Sequence, residues 1–111
     1  MTMVRDRGIE ALVEEELATV TGLTGKSMFG GWVWLLHGNL LCGARHEGML
    51  IRLGKGQDAW ACAIDGVEPM YSGARRMQGW VRASPQVSAD TAIRRRLIEA
   101  ALRFVRTLPH K

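Results

Sequence analysis

Residues 25–53 read GKSMFGGWVWLLHGNLLCGARHEGMLIRL, and the fold class turns on them. The run Trp32-Val33-Trp34-Leu35-Leu36 is too short and too aromatic for a helix, and it ends at His37-Gly38-Asn39. Gly38 and Asn39 tolerate the positive φ that tight hairpin turns require. Residues 40–45 then return as a second strand, His46-Glu47-Gly48 makes another turn, and Met49-Leu50-Ile51-Arg52-Leu53 forms a third strand. The stretch predicts a three-stranded antiparallel meander. Gly30 and Gly31 stand in front of it, where glycine ordinarily weakens a strand. Their expected role is a bulge, or a close approach of backbones as the first strand enters the sheet, with Met28 and Phe29 as an apolar plug.

Working outward, Ile9, Leu12, Val13, Leu17 and Val20 recur at i, i+3, i+4, i+8 and i+11. This predicts an amphipathic helix over 6–20 with an acidic outer face at Glu10, Glu14 and Glu15. TGLTGK (21–26) supplies the glycines that stop it and turn the chain. Beyond the meander, Ala59, Trp60, Ala63 and Ile64 fit a short helix, and two short strands are expected near 69–71 and 78–83. The last helix is read from an N-cap at Ser88, with Asp90 in its first turn, to about Leu108, before Pro109. On a wheel of about 100° per residue, Ile93, Leu97, Ile98, Ala100, Ala101, Leu102, Phe104, Val105 and Leu108 make a wide apolar arc. An arc of that width implies contact with the sheet and also with another helix or a second subunit. The order αβββαββα makes an α+β domain, an antiparallel sheet with flanking helices.

The totals agree with one domain over residues 1–111, with 47% hydrophobic and 23% charged residues. No apolar run reaches the roughly 18 residues of a membrane-crossing helix. The opening MTMVRDRGIEALVEEEL carries acidic residues where a secretory leader has an apolar core, so a cytoplasmic protein is expected. Cys42 and Cys62 are far apart and outside any metal-ligand spacing, and His37, His46 and His110 are scattered. Two buried, reduced thiols are expected, with no metal and no cofactor.

Candidate chemistry is sparse. Cys42 and His37 lie on opposite arms of the first hairpin, but Cys42 sits in an apolar strand, so no catalytic dyad is expected. Glu47, Asp58, Asp65 and Glu68 fall in turns and at helix ends, and no phosphate-cradling loop is complete. No catalytic residue is therefore assigned. Trp32 and Trp34 share one strand face and Val33 and Leu35 the other, which core packing explains. The net charge of +4 draws attention to Arg95, Arg96, Arg103 and Arg106 on the outer arc of the last helix. These are candidate contacts for a partner or for nucleic acid, although the i,i+4 pairs Arg95–Glu99 and Glu99–Arg103 also fit a solvated face. Arg94 lies toward the apolar side of the wheel, where a carboxylate such as Glu16 would pair with it.

Taken in order, MFGG (28–31), the turn glycine Gly38, MLIRL (49–53) and the late GARRMQGWV (73–81) before a closing helix resemble the N-terminal domain of the TfoX/Sxy family. The resemblance covers about residues 8–108, with Met28, Phe29, Gly30, Gly31, Gly38, Gly73, Met77, Gly79 and Trp80 at the motif positions. It implies an α+β fold like that of secretion chaperones, a homodimer, and a regulatory role. Named family members regulate natural competence together with a transcription activator of the cyclic-AMP-receptor type. The resemblance carries over no catalytic residue; the motif match is structural. Full-length members add a C-terminal helical domain, so a stand-alone N-terminal domain is expected here. Two departures are the extra basic charge of GARRMQGW and His37 in place of a small acidic residue before the turn glycine.

The function expected from all this is a non-enzymatic regulatory domain that binds protein partners as a homodimer in transcriptional regulation. Nucleic-acid binding through the arginine face is the alternative, and a small-ligand pocket lined by tryptophans ranks third.

Overall fold

The computed structural model describes residues 5–111. The part of the leader reading that falls on residues 1–4 lies outside the described residues. The chain runs α1 (Arg7–Glu16), β1 (Leu23–Met28), β2 (Gly31–Leu36), β3 (Asn39–Arg45), β4 (Gly48–Arg52), α2 (Ala59–Cys62), β5 (Val67–Ser72), β6 (Arg75–Ala83), α3 (Pro85–Ala89) and α4 (Thr91–Val105). The strands form one antiparallel sheet of six in the order β1-β2-β3-β4-β6-β5. The fold is α+β, as the periodicities require, with two elements beyond the eight expected.

The first addition is β1. Residues 23–26, read above as turn, pair with β2 through Leu23↔Leu36 to Lys26↔Val33. Its side chains are mostly exposed, so an outer strand of this kind carries no alternating signal and is held by the ladder of its neighbour. The second addition is α3. The last helix does not start at Ser88. Ser84 caps α3 by accepting from the Val87 N–H at 3.2 Å, Pro85 takes the first helical position, and Asp90 caps α4 through the Ile93 N–H at 3.0 Å. Ser88 is fully buried, donating to the Ser84 carbonyl at 2.8 Å and accepting from the Met49 N–H at 3.3 Å. The first helix is also shorter than expected, ending at Glu16.

Helices α1, α3 and α4 cover one face of the sheet. Trp34, Leu36, Cys42, Met49, Ile51, Val81 and Ala83 pack there against Ile9, Val13, Leu17, Leu97, Ile98, Ala101 and Val105. Glu10 is not on a solvated face: it is buried and takes both a 2.9 Å and a 2.7 Å bond from Arg5. The wide arc of α4 is filled within the chain, since Ile93, Ala100, Phe104 and Leu108 at its margins pack on the same core. That arc therefore carries no argument for a second subunit. Around the other face lies a smaller cluster, Leu50, Met70 and Trp80, with Phe29, Leu40 and Met77 packed against it half-buried. Among the described residues, no helix residue belongs to this cluster.

Candidate functional site

The MFGG motif forms the β1–β2 turn and not a bulge. Met28 pairs with Gly31, and the two residues between them, Phe29 and Gly30, have φ of 57° and 72°. Positive φ at both central positions is a type I′ turn, whose twist matches that of the strands it joins. Gly31 does satisfy the expected close approach, because a Cβ there would lie 2.3 Å from the Ala44 carbonyl oxygen. The actual irregularity in the ladder falls later, between Trp34 and Leu35. The second hairpin repeats the device, with His37 and Gly38 at φ of 50° and 84°, so the left-handed pair is 37–38 and not 38–39.

Folding brings the two halves of the motif together. The Phe29 ring meets the Trp80 ring edge-on, with centroids 6.1 Å apart and planes at 69°. Met77 packs on the same cluster. Gly79, at φ 83°, bends β6 just before Trp80, and its carbonyl accepts from the N–H groups of Leu53 at 2.7 Å and Gly54 at 3.2 Å. Gly73 sits in the open β5–β6 turn, with no atom within 4 Å of where a Cβ would stand. Met28 is half-buried at the sheet edge. Charges flank the cluster: Arg45 and Arg82 both reach Glu47, at 2.7 Å and 3.4 Å, and Arg82 also holds Glu68. Arg45 further donates to the Phe29 carbonyl at 3.1 Å, tying the turn to β3.

Of the four arginines of the outer helix face, Arg95, Arg103 and Arg106 border one groove together with Glu16 and Glu99, and Arg96 lies on the other side. Arg95 turns away from Glu99 to Glu16, at 3.2 Å, and none of the i,i+4 ion pairs expected with Glu99 forms among the described residues. Arg106 borders the groove that holds Glu16 and Glu99. Arg96 lies over the face of Trp60, 4.6 Å from the ring centroid, and Arg103 borders both sides of the helix. Arg94 meets Glu16 as expected, at 3.1 Å, and is buried. Spacing in the sequence could not link Trp60 to Arg96, since nothing local relates residues 36 positions apart.

Cys42 and His37 stay separate. Cys42 is fully buried on the helix-covered face, whereas the His37 ring is exposed and stacks on His110, with centroids 3.8 Å apart. Burial pushes the Cys42 thiol up to about 12 from its ordinary value of 9.0. Cys62 is half-buried, and its thiol is raised by burial and by Asp58, with Arg76 opposing. A cavity of about 760 Å³ gathers His46, Glu47, Cys62, Asp65, Glu68 and Arg82 beside α3. Among the described residues no three His, Cys, Asp or Glu side chains converge to hold a metal ion. No helix among them is long and apolar enough to cross a membrane.

The Cys42 shift makes stability depend on pH in a defined direction. The folded chain keeps this proton while the unfolded chain loses it above about pH 9. Stability is therefore fully present below that pH and falls toward pH 12, at about 1.4 kcal/mol per unit. Denaturant unfolding at several pH values should show wild type losing stability faster than Cys42→Ala as pH rises past 9. Parallel losses in the two proteins would show that the thiol is not the cause.

Compared with protein-family models, curated proteins and solved structures, the chain matches none. The TfoX/Sxy resemblance therefore rests on the motif residues themselves, and the geometry around them is the ground for any functional reading.

Proposed function

We propose that this chain is a non-enzymatic regulatory domain that binds protein, and that it acts as a homodimer through the face of the sheet that bears Phe29 and Trp80. The observation that carries the reading is Phe29. A bulky residue at φ 57° is held in a left-handed conformation that Asn or Gly would adopt with less strain. Strain of this kind persists where the side chain is needed, and this ring is half-buried against Trp80 in a cluster to which no helix contributes among the described residues. The flanking charges suit a two-fold interface, because Arg45, Glu47, Glu68 and Arg82 offer both signs to a second copy. The regulatory setting, and a transcription-activator protein as a further partner, are supported by the motif resemblance alone.

Phe29→Asn tests the reading, since Asn-Gly is a favoured type I′ pair and the turn should survive the loss of the ring. Sedimentation at tens of micromolar should give a dimer for wild type and a monomer for Phe29→Asn, with the same circular dichroism. A wild-type monomer, or a variant that dimerises equally well, would sink the proposal.

A further inference from the structure

We propose a second site, at the end of the molecule where α2 meets α4, that binds single-stranded nucleic acid through phosphates and exposed bases. A notch of about 490 Å³ opens there, lined by Gln57, Trp60, Arg96, Arg103 and Phe104. Each ring already carries a guanidinium: Arg96 stands 4.6 Å from the Trp60 centroid and Arg52 stands 5.5 Å from that of Phe104. Among the described residues, no carboxylate lines the notch.

Arg5, Arg45, Arg76, Arg82, Arg94 and Arg95 each have a carboxylate within ion-pair distance, whereas Arg7, Arg52, Arg75, Arg96, Arg103 and Arg106 have none among the described residues. Of the unpaired six, Arg96 and Arg103 line this notch and Arg52 stands over its Phe104 ring. A second notch of about 550 Å³ lies beyond the Gly54-Lys55-Gly56 loop, with Lys55, Arg75, Arg76 and Trp80 in its wall. Its composition repeats the first, with cations beside an indole. Of the loop between them, Gly54 is buried, with a Cβ there only 2.6 Å from the Phe104 ring, whereas Lys55 and Gly56 are exposed and a Cβ on Gly56 would meet nothing within 4 Å.

Cations without a counter-charge repel one another, and stacking on the rings offsets that only in part. A strand of phosphates relieves that repulsion, and its bases present the planar faces that stack on indole, phenyl and guanidinium groups. A duplex hides those faces inside its own stack, so it can offer only phosphates. An acidic peptide supplies charge without rings. Of these ligands, a single strand uses both the cations and the aromatics. The second notch shares Trp80 and Met77 with the face proposed for the dimer, whereas the first notch shares none of its lining with it, so variants at Trp60, Arg96 and Arg103 test this site apart from the dimer reading.

Fluorescence anisotropy of a labelled oligothymidylate of about 15 nucleotides tests it. With Lys55, Arg75, Arg96 and Arg103 each meeting one phosphate, affinity should fall about 50-fold between about 50 and 200 mM salt, at about 0.7 counterions per phosphate. Arg96→Ala/Arg103→Ala should weaken binding more than about tenfold and flatten the salt slope by about 1.4. Arg106→Ala, on the other side of the helix, should change it little. Trp60→Leu should weaken binding and Trp60→Phe, the conservative variant, should retain it. Competition separates the sources of the chemistry: oligouridylate should displace the probe, thymidine monophosphate weakly, and duplex DNA, polyphosphate and polyglutamate poorly. Equal competition by polyphosphate or polyglutamate would reduce the site to bare charge and overturn the proposal. So would duplex that binds as tightly as the single strand, an Arg106→Ala loss equal to that of the double variant, or no binding at the lower salt. Sedimentation of the same samples keeps a change in oligomeric state distinguishable from loss of the site.

Discussion

Glu16→Ala should destabilise the chain by about 3–5 kcal/mol, because it leaves the buried Arg94 guanidinium without its counter-charge. Arg94 is only 3% exposed, and the Glu16 side chain 9%. Arg94 reaches Glu16 at 3.1 Å and also donates to the Ser88 carbonyl at 2.9 Å, so α1, α3 and α4 are pinned at one point. Arg95 adds a bond to the other Glu16 oxygen, but it is exposed and screened, and its removal should cost under about 1 kcal/mol. Urea denaturation should show a lower midpoint for Glu16→Ala with an unchanged slope. The double variant Glu16→Leu/Arg94→Met should recover most of the loss, since an apolar pair of similar volume leaves no buried charge. A Glu16→Ala loss below about 1 kcal/mol would show that water reaches the pair and that the ion pair is not a structural pin.

Gly79→Ala is the second large effect, expected at about 2–4 kcal/mol. The residue sits at φ 83°, where any L side chain is strained, and a Cβ would stand 2.4 Å from the Gly54 carbonyl carbon and 2.5 Å from the Lys55 nitrogen. Those are backbone atoms, so no rotamer change relieves the clash. The chain must instead move the 54–56 loop, loosening the double acceptor bond from the Gly79 carbonyl to Leu53 and Gly54. Thermal unfolding should register the loss. Gly73→Ala, at φ 62° but in open space, should cost only the backbone strain of about 1 kcal/mol. Equal effects at the two glycines would mean that conformation, and not the contact with Gly54, governs position 79.

These two sites differ in how far the sequence reveals them. Arg94 stood out as a charge on an apolar arc, and a buried charge must find an opposite one, so Glu16 followed from chemistry. Gly79 was visible only as a motif glycine. Its reason is a crossing of backbones 25 positions apart, and no periodicity records that. The same division explains β1. An outer strand with exposed side chains leaves no alternation to read, whereas β2 to β4, buried by the helices, spell their pattern out. Ser88 misled as a cap because Ser, Pro and Asp all mark helix starts, and only the chain path decides between two short helices and one long one. The arginines of α4 were found by spacing, but their division into Arg95 with Glu16 and Arg96 with Trp60 was not, since those partners come from α1 and α2.

The sequence by itself determined the α+β class, the meander, the amphipathic faces of α1 and α4, and the inert burial of Cys42. All of these follow from local propensity and from hydrophobic period, which are properties of neighbouring residues. Only the tertiary structure decided that Phe29 and Trp80 share one cluster, that Gly30 closes a type I′ turn, and that Trp60, Arg96, Arg103 and Phe104 surround one notch. Each of those depends on the register of distant strands and the docking of helices. Packing of the whole chain sets these, and no window along the sequence contains them.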